Sequence, residues 1–476
     1  MALKFGTDGW RAVISDEFTF SNLRLVAQAI ADFIREENSI DPSIVIGFDT
    51  RFLSDRYAAE VARVMAANDI KTWLARADTP TPAISYAVVN KGTTAGVMIT
   101  ASHNPPRYNG VKLKANYGGS ASPEQNRQVE RILVENQRNE LEPKLADLDD
   151  ALRSGQIVKF DPAWAYYEHL GRLVDLDIIH AGELRVVHDA MYGAGRRTIS
   201  EMLMRTRSHV QNIRDEMNPG FGGIHPEPIA RHLGMLAAMM PNGNWHAGLA
   251  TDGDADRIGA MDARGQFVDP HRIFGLILHY LLKKRGLRGK VVRTVSTTRM
   301  IDRIAAEFGL LVVETPVGFN HIADLMMTDS IVMGGEESGG MSIMGHIPEG
   351  DGVLMGLLLL EVMADAHQPL HVLVEDLLAT YGPAQYARVD MKLTRPVNKK
   401  ALAEKLVNHA PDRIADVRIE NVQTNDGIKY YLADGSWLLI RPSGTEPVLR
   451  VYAEAPDDGR VRALLGFGAA IAEAEK

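Results

Sequence analysis

The chain has no cysteine in its 476 residues, which excludes disulfides, thiolate catalysis and cysteine-ligated metals. Long apolar runs are also missing. The longest, Val353 to Leu360, is far too short to span a bilayer, and Met1-Ala2-Leu3-Lys4-Phe5-Gly6-Thr7-Asp8 lacks the apolar h-region of a leader. A soluble cytoplasmic protein with no membrane partner is expected. There is no concentrated basic face either: the formal charge is -9, the pI is about 5.9, and Lys and Arg are scattered among acids. A nucleic-acid partner is therefore not expected. What is present is ordinary for a folded protein, with 45% apolar and 24% charged residues. A chain this long exceeds one core, and roughly three or four domains are expected.

The patterning is alternating α/β. Ser21 to Glu37 carries Leu25, Val26, Ala29, Ile30, Phe33 and Ile34 at helical spacing. Ser43 to Phe48 then reads as a strand, Asp55 to Ala67 as a helix, Ile70 to Leu74 as a strand and Pro82 to Val89 as a helix. Gly6 to Arg11 reads as a compact glycine-bearing turn that brings Arg11 close to whatever the backbone approaches. Three runs look like opening strands of a repeated unit: Ser43 to Gly47, Leu184 to His188 and Gly289 to Arg293. Each is followed, at the spacing a βαβ crossover needs, by another strand that runs into a polar loop. Glu140 to Asp150 reads as a solvated linker or helix. Beyond about residue 370 the pattern changes to strands at Gln385 to Leu393 and Lys429 to Ile440 around a helical stretch at Lys399 to Asn408, a smaller α+β domain.

The polar loops carry the chemistry. Ala95 to Ile99 runs into Thr100-Ala101-Ser102-His103-Asn104-Pro105-Pro106, a buried strand delivering a serine to a loop that two prolines stop. Ser102 is the candidate nucleophile, although Ser and Asn before Pro are also ordinary turn chemistry. Ala247 to Ala250 runs into Asp252-Gly253-Asp254-Ala255-Asp256-Arg257, with carboxylates on alternate residues and small residues between them. Three such charges suit a hard cation. An EF-hand is excluded, because its sixth and twelfth positions need Gly and Glu, and Arg257 and Ala263 stand there. With few protein ligands and positions left for phosphate oxygen, magnesium fits. Ile331 to Met333 runs into Gly335-Glu336-Glu337-Ser338-Gly339-Gly340, where Glu336 and Ser338 suit vicinal sugar hydroxyls, or the loop is simply a flexible turn. Near the carboxyl end, Arg441-Pro442-Ser443-Gly444-Thr445-Glu446-Pro447 offers a forked cation, hydroxyls and a glycine amide, a cradle for a phosphate dianion or a plain hairpin turn. Lys112, in Gly110 to Lys114, sits on an expected strand returning beside Ser102; a lysine near Arg or a metal can pass protons, whereas an exposed lysine is the commoner outcome. In open α/β sheets ligands bind outside the carboxyl ends of strands, so related domains could aim these loops into one cleft.

These four motifs, in this order, resemble those of the α-D-phosphohexomutases over essentially the whole chain. The resemblance implies three related mixed α/β domains and a smaller C-terminal α+β domain around a central cleft. On that plan residues 1–155 carry the serine loop, 156–265 the metal loop, 266–375 the sugar loop and 376–476 the phosphate loop. It also implies a phosphorylated Ser102 and one Mg²⁺ held by that residue with Asp252, Asp254 and Asp256. Lys112 would be the general acid/base, helped by His103 and Arg11. Arg257, Glu336, Ser338, Arg441, Ser443, Gly444 and Thr445 would bind the substrate. The implied reaction moves a phosphoryl group within a hexose monophosphate through glucose 1,6-bisphosphate, in a monomer or homodimer. Glu337 looks like the glucose-specific type, whereas Asn320 in Val317-Gly318-Phe319-Asn320-His321 replaces the lysine usual in glucose-type relatives. Phosphoglucomutase is favoured over phosphomannomutase or a dual-specificity enzyme; a non-catalytic sugar-phosphate binder is the reading from another class.

Overall fold

The computed structural model describes Leu3, Phe5 and residues 9–37, 40–443 and 447–475. Contacts divide the chain into two compact units, one of residues 1–273, 323–329 and 338–371 and the other of 274–322, 330–337 and 372–476.

In the first unit, β1 (Trp10–Val13), β2 (Ser43–Phe48), β3 (Lys71–Ala75), β4 (Ala95–Ile99), β5 (Tyr108–Ala115) and β6 (Ile157–Phe160) form a sheet in the order β1-β5-β4-β2-β3-β6. A second sheet contains β7 (Arg185–Asp189), β8 (His209–Ile213), β9 (Ala247–Thr251), β10 (Ile258–Asp262) and β11 (Phe267–Val268), in the order β11-β10-β9-β7-β8. In the second unit β12 (Lys290–Thr294) lies parallel to both β13 (Val312–Thr315) and β14 (Ile331–Gly335). The short strand β15 (Met341–Ile343) belongs to the first unit. The repeated unit read from the sequence is present three times with one topology: β2 lies between β3 and β4, β7 between β8 and β9, and β12 between β13 and β14, all parallel. The third strand of each triplet ends in one of the polar loops.

The strands read as continuous apolar runs because a parallel strand covered on both faces has no solvent side to alternate with. All five residues of β4 and all five of β9 are buried. The helix Phe20–Glu36 buries Leu23, Val26, Ala27, Ile30, Phe33 and Ile34, and Thr19 caps it by accepting from the Asn22 N–H at 3.2 Å. Trp10 stacks on Phe18 with ring centroids 4.7 Å apart, and Phe18 meets Tyr57 edge-on at 4.8 Å. Each of these three rings buries enough apolar surface to contribute about 2–3 kcal/mol.

The last strands, β16 (Gln385–Lys392), β17 (Arg413–Ile414), β18 (Val417–Gln423), β19 (Ile428–Leu432), β20 (Trp437–Pro442) and β21 (Val448–Ala455), make an antiparallel sheet in the order β16-β21-β20-β19-β18-β17. The helices Lys399–Asn408 and Asp458–Ala474 accompany it.

Three details depart from the expectations. Trp10 and Arg11 belong to strand β1, not to a turn; Trp10 pairs with Val111 and Arg11 with Gly110, because alternate residues Trp10 and Ala12 turn into the core. Lys429 to Ile440 is a hairpin of two strands, turned at Gly435 with φ +83°. Strand β6 pairs in parallel with β3, so the first sheet runs past residue 155. Val353 to Leu360 lies in the buried helix Gly352–Ala366, where the equally buried Glu361 accepts the Asp175 N–H at 2.9 Å and caps the start of a neighbouring helix. Among the described residues no single helix is long and apolar enough to cross a membrane.

Candidate active site

The serine loop begins where β4 ends. Ser102 takes φ +51°, a left-handed conformation that L residues other than Asn and Asp rarely adopt. Its neighbours impose it: the Ser102 N–H donates to Thr100 Oγ1 at 2.8 Å, and the Ser102 carbonyl accepts from Arg51 Nη2 at 2.6 Å. The side chain is thereby turned toward the second sheet. Ser102 Oγ donates to Asp252 Oδ2 at 3.0 Å and lies 3.3 Å from His103 Nδ1. Asn104 Oδ1 accepts from Arg11 Nη1 at 2.9 Å, which ties β1 to the same loop.

Opposite it stands the loop after β9. One ligand oxygen from each of Asp252, Asp254 and Asp256 can be chosen so that all lie within 4.8 Å of one another. Asp252 and Asp254 are fully buried. Asp254 Oδ2 accepts from Thr81 Oγ1 at 2.8 Å and from Lys112 Nζ at 2.9 Å, and Asp256 Oδ2 accepts from Lys112 Nζ at 3.0 Å. Among the described residues the other oxygens, Asp254 Oδ1 and Asp256 Oδ1, are buried with no hydrogen-bond partner, and Asp256 Oδ1 lies 3.8 Å from Arg257 Nε. Burial together with the charges of Asp256 and Asp254 pushes the Asp252 carboxyl well above the usual range. Burial pushes Asp254 up as well, but the charge and hydrogen bond of Lys112 outweigh it and hold this carboxyl below its ordinary value. Crowded carboxylates with orphaned buried oxygens fit a divalent hard cation, which would satisfy those oxygens and offset the charge. Gly253 is needed for the approach of the two loops, because a Cβ there would lie 2.5 Å from the Ser102 carbonyl oxygen.

Lys112 reaches the carboxylates because β5 pairs antiparallel with β4, setting Lys112 opposite Met98. His103 is held well below its ordinary pKa by burial first and then by the Arg257 and Arg11 charges, which favours the neutral imidazole. The Arg257 N–H donates to Asp252 Oδ1 at 3.2 Å, and Arg257 bridges to Gly340. The structure thus gathers Ser102, His103, Lys112, Arg11, Arg257 and the three aspartates in one place.

The remaining candidates are distributed between the units. Ser338 lies in the first unit, in the turn after β14. In the second unit Glu336 Oε1 accepts the Gly318 N–H at 2.9 Å, and Glu337 Oε1 accepts from Arg388 Nη1 at 3.3 Å. Arg441 Nε donates to the buried Asp426 at 2.7 Å; Lys399 also pairs with Asp426, and the Val317 N–H donates to it at 2.9 Å. Ser443 is buried beside the end of β20. Gly444 and Thr445 lie outside the described residues.

Several residues escaped the reading of the sequence. Asp49 and Arg51 hold the serine loop from the carboxyl end of β2, Thr81 holds Asp254, and Asp426 with Lys399 flanks Arg441. Asp49 and Arg51 had one available signal, their position just past the end of the central strand of a βαβ unit, where open sheets place functional groups.

Comparison with known proteins finds four matching domain families along the chain. Residues 2–140, 164–265 and 269–381 match the phosphoglucomutase/phosphomannomutase alpha/beta/alpha domains I, II and III, and residues 393–467 match the C-terminal domain of that group. A Komagataeibacter xylinus protein named phosphoglucomutase is 30% identical, the match covering 95% of this chain and 87% of the relative. A Methanosphaera stadtmanae protein named as a phosphoglucosamine mutase is 32% identical over 94% of each chain. A solved structure from Thermus thermophilus, described as a phosphomannomutase, superimposes with a TM-score of 0.87 at 32% identity, covering 99% of each chain.

Proposed function

Because the chain belongs to the phosphoglucomutase/phosphomannomutase family and is thus a phosphohexomutase, we propose that Ser102 carries the phosphoryl group and that glucose phosphates are the preferred substrates. The observation that carries the first part is the Ser102 hydroxyl, 3.0 Å from Asp252 and facing a carboxylate loop with two orphaned buried oxygens.

Phosphorylated Ser102 donates to the free hydroxyl of a hexose monophosphate: the serine O–P bond breaks as the sugar O–P bond forms, and the sugar hydroxyl gives up its proton. The resulting 1,6-bisphosphate turns over in the site and returns its other phosphoryl group to Ser102. Mg²⁺, which the family uses, would be held by Asp252, Asp254, Asp256 and an oxygen on Ser102, and when bound supplies charge stabilisation to the transferring oxygens. Lys112 moves the proton between sugar and serine oxygens. Neutral His103, within 3.3 Å of Ser102 Oγ, and the Arg11 cation assist it. Arg257 contacts the sugar phosphate. The family resemblance assigns the sugar hydroxyls to Glu336 and Ser338, and the phosphate that is not being transferred to Arg441, Ser443, Gly444 and Thr445.

The glucose preference rests on Glu337 in the sugar loop. Asn320, where glucose-type relatives carry lysine, favours the second reading, a mannose or mixed-specificity mutase. Two measurements test these readings. Intact mass should find one phosphate on the wild type and none on Ser102→Ala, which should also lose turnover. With Mg²⁺ and a trace of glucose 1,6-bisphosphate, kcat/KM for glucose 1-phosphate should exceed that for mannose 1-phosphate; equal values reject the glucose preference.

A further inference from the structure

Arg51 is only 2% exposed, and the structure gives five acceptors for its five guanidinium N–H groups. Nη2 donates to the carbonyls of Ser102 and Asn104, both at 2.6 Å. Nη1 donates to those of Pro105 at 2.9 Å and Tyr108 at 3.0 Å, and Nε donates to Asp49 Oδ2 at 3.1 Å. The Phe221 ring, from the segment between β8 and β9, has its centroid 4.9 Å from the guanidinium carbon. Asp49 also accepts from Thr100 Oγ1 at 2.7 Å and from Ser54 Oγ at 2.9 Å. Thr100 Oγ1 in turn accepts the Ser102 N–H at 2.8 Å.

Both faces of the Ser102 peptide backbone are therefore held by one charged network: the N–H through Thr100 to Asp49, the carbonyl through Arg51 to Asp49. A residue at φ +51° returns to negative φ once such restraints are removed. Rotation there swings Oγ off Asp252. We propose that Arg51, through Asp49 and Thr100, is a positioning residue for phosphoryl transfer, holding the serine loop in its left-handed conformation so that Ser102 Oγ faces the carboxylate loop. The proposal rests on Ser102 being the phosphoryl carrier.

The test compares wild type with Arg51→Lys, Thr100→Val and Thr100→Ser, measuring kcat and KM for glucose 1-phosphate, phosphate on Ser102 by intact mass, and thermal melting. Lysine keeps the charge beside Asp49 but loses the planar fork that spans four carbonyls. For Arg51→Lys, kcat should fall about 100-fold while KM stays within about threefold, since displacement by about 1 Å costs that much in transfer but little in ground-state binding. Thr100→Val should show the same split, and Thr100→Ser, which restores the hydroxyl, should recover kcat. A folded Arg51→Lys with wild-type kcat, or with kcat and KM changed together, overturns the positioning role. If Arg51→Lys does not fold, Thr100→Val decides on the same criteria. Absence of covalent phosphate on active wild type would instead remove the carrier reading, and the proposal with it.

Discussion

Gly253→Ala is the most direct probe of the contact between the serine and metal loops. The added Cβ would sit 2.5 Å from the Ser102 carbonyl oxygen, 3.1 Å from Pro226 Cγ and 3.5 Å from Pro226 Cβ. An ordinary contact needs about 3.4 Å, so the loops must part by roughly 0.9 Å. They have little room to do so, because the Gly253 N–H is held by the Pro226 carbonyl at 3.1 Å and the Ser102 carbonyl by Arg51 at 2.6 Å. Added to the 3.0 Å between Ser102 Oγ and Asp252 Oδ2, that displacement takes the pair out of hydrogen-bond range. Overpacking of this kind costs about 1–3 kcal/mol in stability, and misplacing a reacting group by about 1 Å costs on the order of 100-fold in rate. A coupled assay of glucose 1-phosphate conversion at increasing Mg²⁺ measures the second effect, and urea unfolding the first. Both should move, and saturating Mg²⁺ should not recover kcat. A variant with kcat within twofold of wild type and an unchanged unfolding midpoint would refute the close approach of the two loops.

Glu349 neutralises the buried Lys114, with side-chain exposures of 5% and 0%, so Glu349→Met should destabilise by about 3–5 kcal/mol in urea unfolding. The double variant with Lys114→Met should recover much of that, since it removes the stranded charge. Arg441→Ala should raise KM for hexose monophosphates about tenfold or more, the worth of a charged hydrogen bond, with a smaller change in kcat; an unchanged KM removes it from the phosphate site. His188 is fully buried and burial lowers its pKa to about 4, against 6.5 when exposed. Between these values the unfolded chain binds the extra proton and the folded one does not, so stability falls as pH drops from 6.5 to 4, by up to roughly 3 kcal/mol. His188→Gln should flatten that part of a pH series of unfolding midpoints.

The repeated units were legible because a strand buried on both faces reads as a β-branched run with no alternation, and Ser43 to Gly47 and Ala95 to Ile99 are such runs. The aspartate loop was legible because its spacing is local: three carboxylates on alternate residues mean the same thing whatever surrounds them. Arg51 was not, since its four carbonyl acceptors lie 51 to 57 residues away and Asp49-Thr50-Arg51 alone looks like any polar turn. The same holds for Glu349, which is 235 residues from Lys114. Strand β1 was hidden because it has only four residues and follows glycine-bearing turn chemistry; its place is set by pairing with β5, nearly 100 residues on. The Lys429 to Ile440 hairpin did carry a local signal, Asp434-Gly435, that a reading for strands alone passes over.

One topology used three times explains how unlike loops come to leave their sheets at the same place. In each triplet the central strand is flanked by two parallel partners, so the loop after the third strand leaves the sheet at the same end each time. The sheet therefore fixes where a loop emerges and leaves its residues open to variation. In the first unit the consequence is visible in atoms: the loop after β4 contributes a hydroxyl, the loop after β9 contributes carboxylates, and the two meet at 3.0 Å. Strand β5, returning antiparallel beside β4, then brings Lys112 against the carboxylates of the second sheet. The candidate nucleophile, cation site and proton carrier thus come from the carboxyl ends of two copies of one unit and the return strand of the first. Loss of any single loop should remove one function from the reaction and leave the sheets, whose cores lie beneath those loops, intact.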